Sequence, residues 1–117
     1  MGSATFQRED PNPETTVLTI TGELDVSNVG DLRRRLDEIL DRRSGTLILD
    51  LGALVHMDSS GLAELISVNQ RARLSGMRLL LAFDSRGLRR TIEVRGLDGM
   101  FTIVDSRADA LAALEQA

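Results

Sequence analysis

Thr46-Leu47-Ile48-Leu49-Asp50-Leu51 is the stretch on which the reading of the fold turns. A strand with one wet face alternates apolar and polar residues, whereas this run is interrupted only by Asp50, the pattern of a strand covered on both faces. It is expected at the centre of a sheet. Immediately upstream, Gly45 ends a helical stripe of Val29, Leu32, Leu36, Ile39 and Leu40, with Ser27 or Asn28 as its N-cap. Downstream, the connection from Gly52 to Met57 leads into a second stripe of Leu62, Leu65, Ile66, Asn69 and Ala72, closed by Gly76 in the manner of a C-terminal glycine cap.

Working outward, Met77 to Phe83 reads as another buried strand, Ser85 to Val94 as a short helix stopped by Gly96, and Met100 to Val104 as a last strand. Asp105 or Ser106 then caps a closing helix with Ala108, Leu111 and Leu114 turned inward. Towards the start, Thr15 to Thr21 is a strand ended by a turn at Gly22. A strand near Ala4 to Arg8 precedes it, joined through Pro11, Asn12 and Pro13. The order β, β, α, β, α, β, α, β, α implies an α/β fold with right-handed parallel crossovers and an antiparallel edge strand. We expect one domain over residues 1–117, with residues 1–3 disordered, a mixed and mostly parallel sheet of about five strands, and about four helices.

At 117 residues the chain can bury a real core, and 42% apolar with 27% charged residues is the balance of a soluble globular domain. It has no cysteine, so disulfides and thiolate metal sites are excluded. All 14 basic residues are arginine. Without lysine there is no P-loop, no Schiff base, no kinase strand lysine and no receiver-type phosphoaspartate site. A net charge of -4 and three phenylalanines as the only aromatics speak against nucleic-acid binding. The polar start, with Arg8, Glu9 and Asp10, is no export signal, and no apolar run reaches the 18 to 20 or so residues that cross a bilayer. A cytoplasmic location without membrane, metal or cofactor is therefore expected.

The segment Met57-Asp58-Ser59-Ser60-Gly61-Leu62 lies where the second helix opens, with its hydroxyls beside unpaired backbone amides. Helix N-termini favour negative charge, so a phosphoryl group on a serine there is easily accommodated. Asp58 and Ser59 are equally suited to plain capping. Gly22-Glu23-Leu24-Asp25 puts two carboxylates between a strand end and the first helix, and in a βαβ arrangement that loop opens at the same sheet edge. Asp25 alone also suits a turn. His56, Asp58 and Ser59 have the residue types of a hydrolase triad, but such close neighbours in sequence cannot readily align base, orienter and nucleophile. Leu62 and Leu65 are core by spacing and partner-facing only in part. The arginines at 33, 34, 35, 89 and 90 suit solvated faces.

Together the two motifs resemble the STAS-domain anti-sigma factor antagonists of bacteria over nearly the whole chain. Ser75-Gly76 before a buried strand and Gly96-Leu97 before Phe101 follow the same layout. The resemblance implies a non-enzymatic partner switch that needs no cofactor. The unphosphorylated protein binds an anti-sigma factor, often itself a GHKL-type serine kinase, and frees a sigma factor; phosphorylation abolishes that binding, and a serine phosphatase resets it. By position the resemblance makes Ser59 the phosphoacceptor, with Ser60 supporting the loop, Asp58 shaping and capping the turn and Asp25 contributing to phosphorylation; Asp25, Asp58, Ser60, Gly61 and Leu62 make up the partner-binding region. Ala63 stands where a second glycine is common. The alternative within the fold is a non-switching scaffold or ligand-sensing module of a stress-signalling complex.

Overall fold

The computed structural model describes residues 2–42 and 44–115. Among them the strands are β1 (Ala4–Asn12), β2 (Thr15–Leu24), β3 (Thr46–Asp50), β4 (Leu54–Met57), β5 (Arg78–Ala82) and β6 (Ile103–Val104). The helices are α1 (Val29–Ile39), α2 (Ser59–Ser75), α3 (Arg86–Val94) and α4 (Arg107–Glu115). The sheet runs β1-β2-β3-β5-β6, with β4 paired to β2 off this path. Only β1–β2 is antiparallel; the other pairs are parallel. This is the mixed, mostly parallel sheet expected, with a sixth strand.

The apolar run at 46–51 is central because its two faces meet different layers. Successive strand residues point to opposite sides. Leu47 and Leu49, with Leu18, Ile20, Leu79 and Leu81, join the cluster that holds Leu32, Leu36, Leu65 and Ile92 from α1, α2 and α3. Ile48 points the other way, with Val17, Leu80 and Ala82, onto Ala110 of α4. Asp50, the one charged residue of β3, accepts the amide of Gly52 through Oδ1 at 3.0 Å, so it starts the turn out of the strand.

The added strand is β4. After the turn at Gly52, residues 52–57 carry only four strand residues, too few to show a period, so the sequence reads them as a connection. In the structure β2 pairs on one side with two successive partners, Thr15 to Thr19 with β3 and Gly22 to Leu24 with β4. Gly22 therefore does not end its strand. Its φ of 97° lies in the left-handed region, and a Cβ there would stand 2.4 Å from the Ser3 carbonyl oxygen. It marks the register shift where β2 changes partner.

Three further boundaries differ from expectation. β1 extends through Pro11 to Asn12, with a register shift after Glu9, and Asn12 Oδ1 accepts the Glu14 amide at 2.9 Å to close the hairpin. The last strand shrinks to Ile103–Val104, because residues 98–100 form a turn in which the Met100 amide bonds the Leu97 carbonyl at 3.0 Å. In α4 the residue turned inward is Ala110, while Ala108 is exposed and Leu111 and Leu114 are half-buried. Ser106, one of the two expected caps, accepts the Asp109 amide through Oγ at 3.0 Å. Gly76 ends α2 in the left-handed conformation expected of it, φ 78°. Met1, residue 43 and residues 116–117, part of the expected single domain, lie outside the described residues, whereas the Gly2 amide donates to Asp25 just past β2 and the Ser3 carbonyl accepts the Glu23 amide within it.

Candidate functional site

The site is assembled where β2 and β4 end side by side. Parallel pairing puts Leu24 opposite Met57, so the residues that follow each strand, Asp25 and Asp58, leave the sheet together. The Asp58 amide donates to the Leu24 carbonyl at 3.1 Å. The Asp58 carboxylate then joins the two loops. Its Oδ1 accepts the amides of Ser60 at 2.9 Å and Gly61 at 3.1 Å, and its Oδ2 accepts the Val26 amide at 3.3 Å. The two motifs, separate in sequence, thus form one hydrogen-bonded unit.

Ser59 is the first residue of α2 and is exposed. Its setting differs from the expected one in a way that matters. A helix start leaves its first amides without intrahelical acceptors, and here the amides at 58, 60 and 61 are already taken by the Leu24 carbonyl and the Asp58 carboxylate. At this end of α2 the cap therefore already occupies the amides of Ser60 and Gly61. A phosphoryl group on Ser59 Oγ would project from this surface rather than sink into the amide cradle, adding nearly two negative charges outside it.

Gly61 and Leu62 hold the site from beneath. Leu62 is 3% exposed and belongs to the core, so it presents no side chain to a partner. Gly61 is buried where α2 crosses the end of β2: a Cβ would meet Met57 Cγ at 2.6 Å and Leu24 Cδ2 at 3.1 Å. Ser60 is half-buried and Ala63 exposed, so Ala63 takes no room from the helix underside.

Asp25 sits in a cage of donors. Oδ1 accepts the Ser27 amide at 2.9 Å and the Ser27 hydroxyl at 2.5 Å, and Oδ2 accepts the Gly2 amide at 2.7 Å. The Ser27 hydroxyl first, then the Gly2 amide, hold this carboxyl below the usual carboxylate range, so it is a fixed negative charge. Glu23, expected in the loop, is in β2 opposite His56. His56 is exposed, and among the described residues its side chain makes no hydrogen bond to Asp58 or Ser59.

Three residues of the site escaped the sequence reading. Val26 and Val55 flank it at 74% and 80% exposure, large apolar side chains that the core does not use. Asn28 was legible only as a cap. Its side chain instead turns back to the loop, with Oδ1 accepting the Asp25 amide at 3.0 Å and Nδ2 donating to the Glu23 carbonyl at 2.8 Å. The signal available was an asparagine three residues after an aspartate, a spacing that serves a turn as well as a cap. Among the described residues no group of His, Cys, Asp or Glu could hold a metal ion, and no helix is long and apolar enough to cross a membrane.

Comparison with known proteins places this arrangement among relatives. The family model described as STAS domain matches residues 8–110. The anti-sigma F factor antagonist of Paenibacillus polymyxa is 28% identical over 100 residues, covering 85% of this chain and 86% of the relative. The anti-sigma-F factor antagonist RsfB of Mycobacterium tuberculosis is 29% identical over 100 residues, 84% of this chain and 80% of its own. Among solved structures, an anti-sigma factor antagonist from Mycobacterium paratuberculosis superposes with a TM-score of 0.85 at 25% identity, covering 97% of this chain and 95% of that one.

Proposed function

The chain belongs to the STAS domain family, and from that premise we propose that it is an anti-sigma factor antagonist switched by phosphorylation of Ser59. In the unphosphorylated state it binds an anti-sigma factor through the surface around Ser59 and so releases a sigma factor. The anti-sigma factor, as a GHKL-type serine kinase, transfers the γ-phosphoryl group of ATP to Ser59 Oγ, and the modified chain lets go. A serine phosphatase removes the group. The chain itself catalyses nothing in this scheme, which runs in the cytoplasm, where ATP and sigma factors are found.

The observation that carries this reading is the exposed Ser59 hydroxyl beside amides already filled by Asp58. Such a serine can be modified without moving the helix that bears it. The effect then comes from charge. Asp25 and Asp58 already make this end of the molecule negative, and Val26 and Val55 supply apolar area for a partner. Two more negative charges within a close interface cost on the order of several kcal/mol where they meet like charge or lose their water. Since about 1.4 kcal/mol is tenfold in affinity, one phosphate lowers binding by roughly a hundredfold or more.

The test is to incubate the protein with candidate anti-sigma factor kinases and Mg-ATP, alongside Ser59→Ala. Incorporation into the parent and none into Ser59→Ala is expected. Ser59→Asp is expected to bind the same kinase at least tenfold more weakly. If no candidate labels the parent, the non-switching scaffold is the better reading.

A further inference from the structure

Asn28 occupies the N-cap of α1, yet it makes no side-chain hydrogen bond to the helix it opens. Asparagine at an N-cap ordinarily accepts an amide of the first turn. Here the side chain spends both its acceptor and its donor on the preceding loop, taking the Asp25 amide and giving to the Glu23 carbonyl. Its backbone completes the wrap: the Asn28 amide donates to the Asp25 carbonyl at 3.1 Å. Residues 23 to 25 are thereby tied at two points to the start of α1.

What this loop positions is the contact across to α2. Val26 lies between the caged Asp25 and Asn28, and its amide is the donor that reaches Asp58 Oδ2. Asp58 in turn holds Ser60 and Gly61, on either side of which the chain carries Ser59 and Leu62. We infer that Asn28 is a positioning residue for the switch: it trades helix capping for a strut that fixes the Asp25 carboxylate and the Val26 amide against the Ser59 end of α2. A local rule broken with no gain to the helix is expected where geometry serves a site. This inference rests on the proposed function for its consequence but not for its geometry.

The discriminating variants are Asn28→Ser and Asn28→Asp. Both are good N-cap residues, so α1 keeps or gains a cap; an ionised aspartate has no donor for the Glu23 carbonyl, and the single, shorter serine hydroxyl cannot replace both branches of the amide, which hold the Asp25 amide and the Glu23 carbonyl together. The first arm needs no partner. Amide hydrogen exchange followed by NMR is expected to be about three- to tenfold faster at Asp25 and Val26 in Asn28→Ser, the effect of losing a hydrogen bond of ordinary net strength. The melting temperature should stay within a degree or two. Unchanged exchange at both amides would overturn the inference, as would a general loss of protection throughout α1, since that would make Asn28 merely a stabilising cap.

The second arm measures Mg-ATP-dependent labelling of Ser59 by whichever kinase labels the parent. A rise in KM for the protein substrate by about three- to tenfold, with kcat little changed, is expected for a surface displaced before binding. Equal KM values for parent and Asn28→Ser would sink the positioning role. Should no kinase label the parent, the functional reading fails, and the exchange arm still decides the strut.

Discussion

Gly61 is where the site meets the core through a single missing atom. In an open helix, glycine to alanine stabilises by about 1 kcal/mol, because alanine loses less chain entropy on folding. At this position a methyl group would press on Met57 and Leu24. We expect Gly61→Ala to destabilise by about 1–3 kcal/mol in urea unfolding, the range for overpacking a filled site. The reverse change at exposed Ala63, to glycine, is expected to cost only the propensity difference. A stabilised Gly61→Ala would mean that Met57 swings aside freely, and the close approach of α2 to β2 would not constrain the sequence. That approach was not legible beforehand, because a glycine in a motif looks the same whether it serves a turn, a cap or a contact.

At the level of elements, α1 and α2 are joined by charge as well as by leucines. Glu64 on α2 is 5% exposed, with Arg71 Nη2 at 2.5 Å and Arg33 Nη1 of α1 at 3.9 Å, while Arg71 also pairs with Asp37 of α1. Burial raises the Glu64 carboxyl above its ordinary value, and Arg71 then Arg33 only partly oppose this; nearby Asp37 adds to the rise. The sign follows from linkage. A carboxyl whose folded value is raised binds its proton more readily in the native state, so its contribution favours folding below the unfolded value near 4.5 and is lost as pH rises through the raised one. Glu64→Gln should remove this component, leaving a flatter stability curve over that window in chemical denaturation followed from pH 4 upward. A curve unchanged in shape would mean that the ionised Glu64 is fully compensated. Nothing in the sequence singled out Glu64, since a glutamate on a helical stripe reads as surface. The same holds for β4, whose four residues are too few for a period to register, and for α4, where Ala108 and Ala110 fit an inward stripe about equally well. What could be read in advance was set by long patterns: the leucine runs of β3 and β5, the stripes of α1 and α2, and Gly76. The exposed start of α2 at Ser59 followed from those, because a helix whose stripe begins at Leu62 must open near 59.

Over the whole molecule, three helices cover one face of the sheet and α4 covers the other, while the site occupies the end at which β2 and β4 stop. β2 stands apart from the other strands. Among the described residues it is the one flanked by three partners: β1 along nearly its full length, and β3 and β4 sharing its opposite edge. This arrangement has a kinetic consequence. The β1–β2 hairpin brings together residues close in sequence and can close within microseconds, whereas β3 and β4 must find the same strand across some thirty intervening residues. A preformed hairpin offers both late arrivals a template whose register is already set, so the rate-limiting step should contain β2 with at least one of them, and α4 should dock afterwards. Ile20→Val is then expected to slow refolding with a φ-value above about 0.5, while Ala110→Gly mainly hastens unfolding. Stopped-flow chevrons giving the opposite ranking would make the helical face, not this shared strand, the nucleus on which the chain condenses.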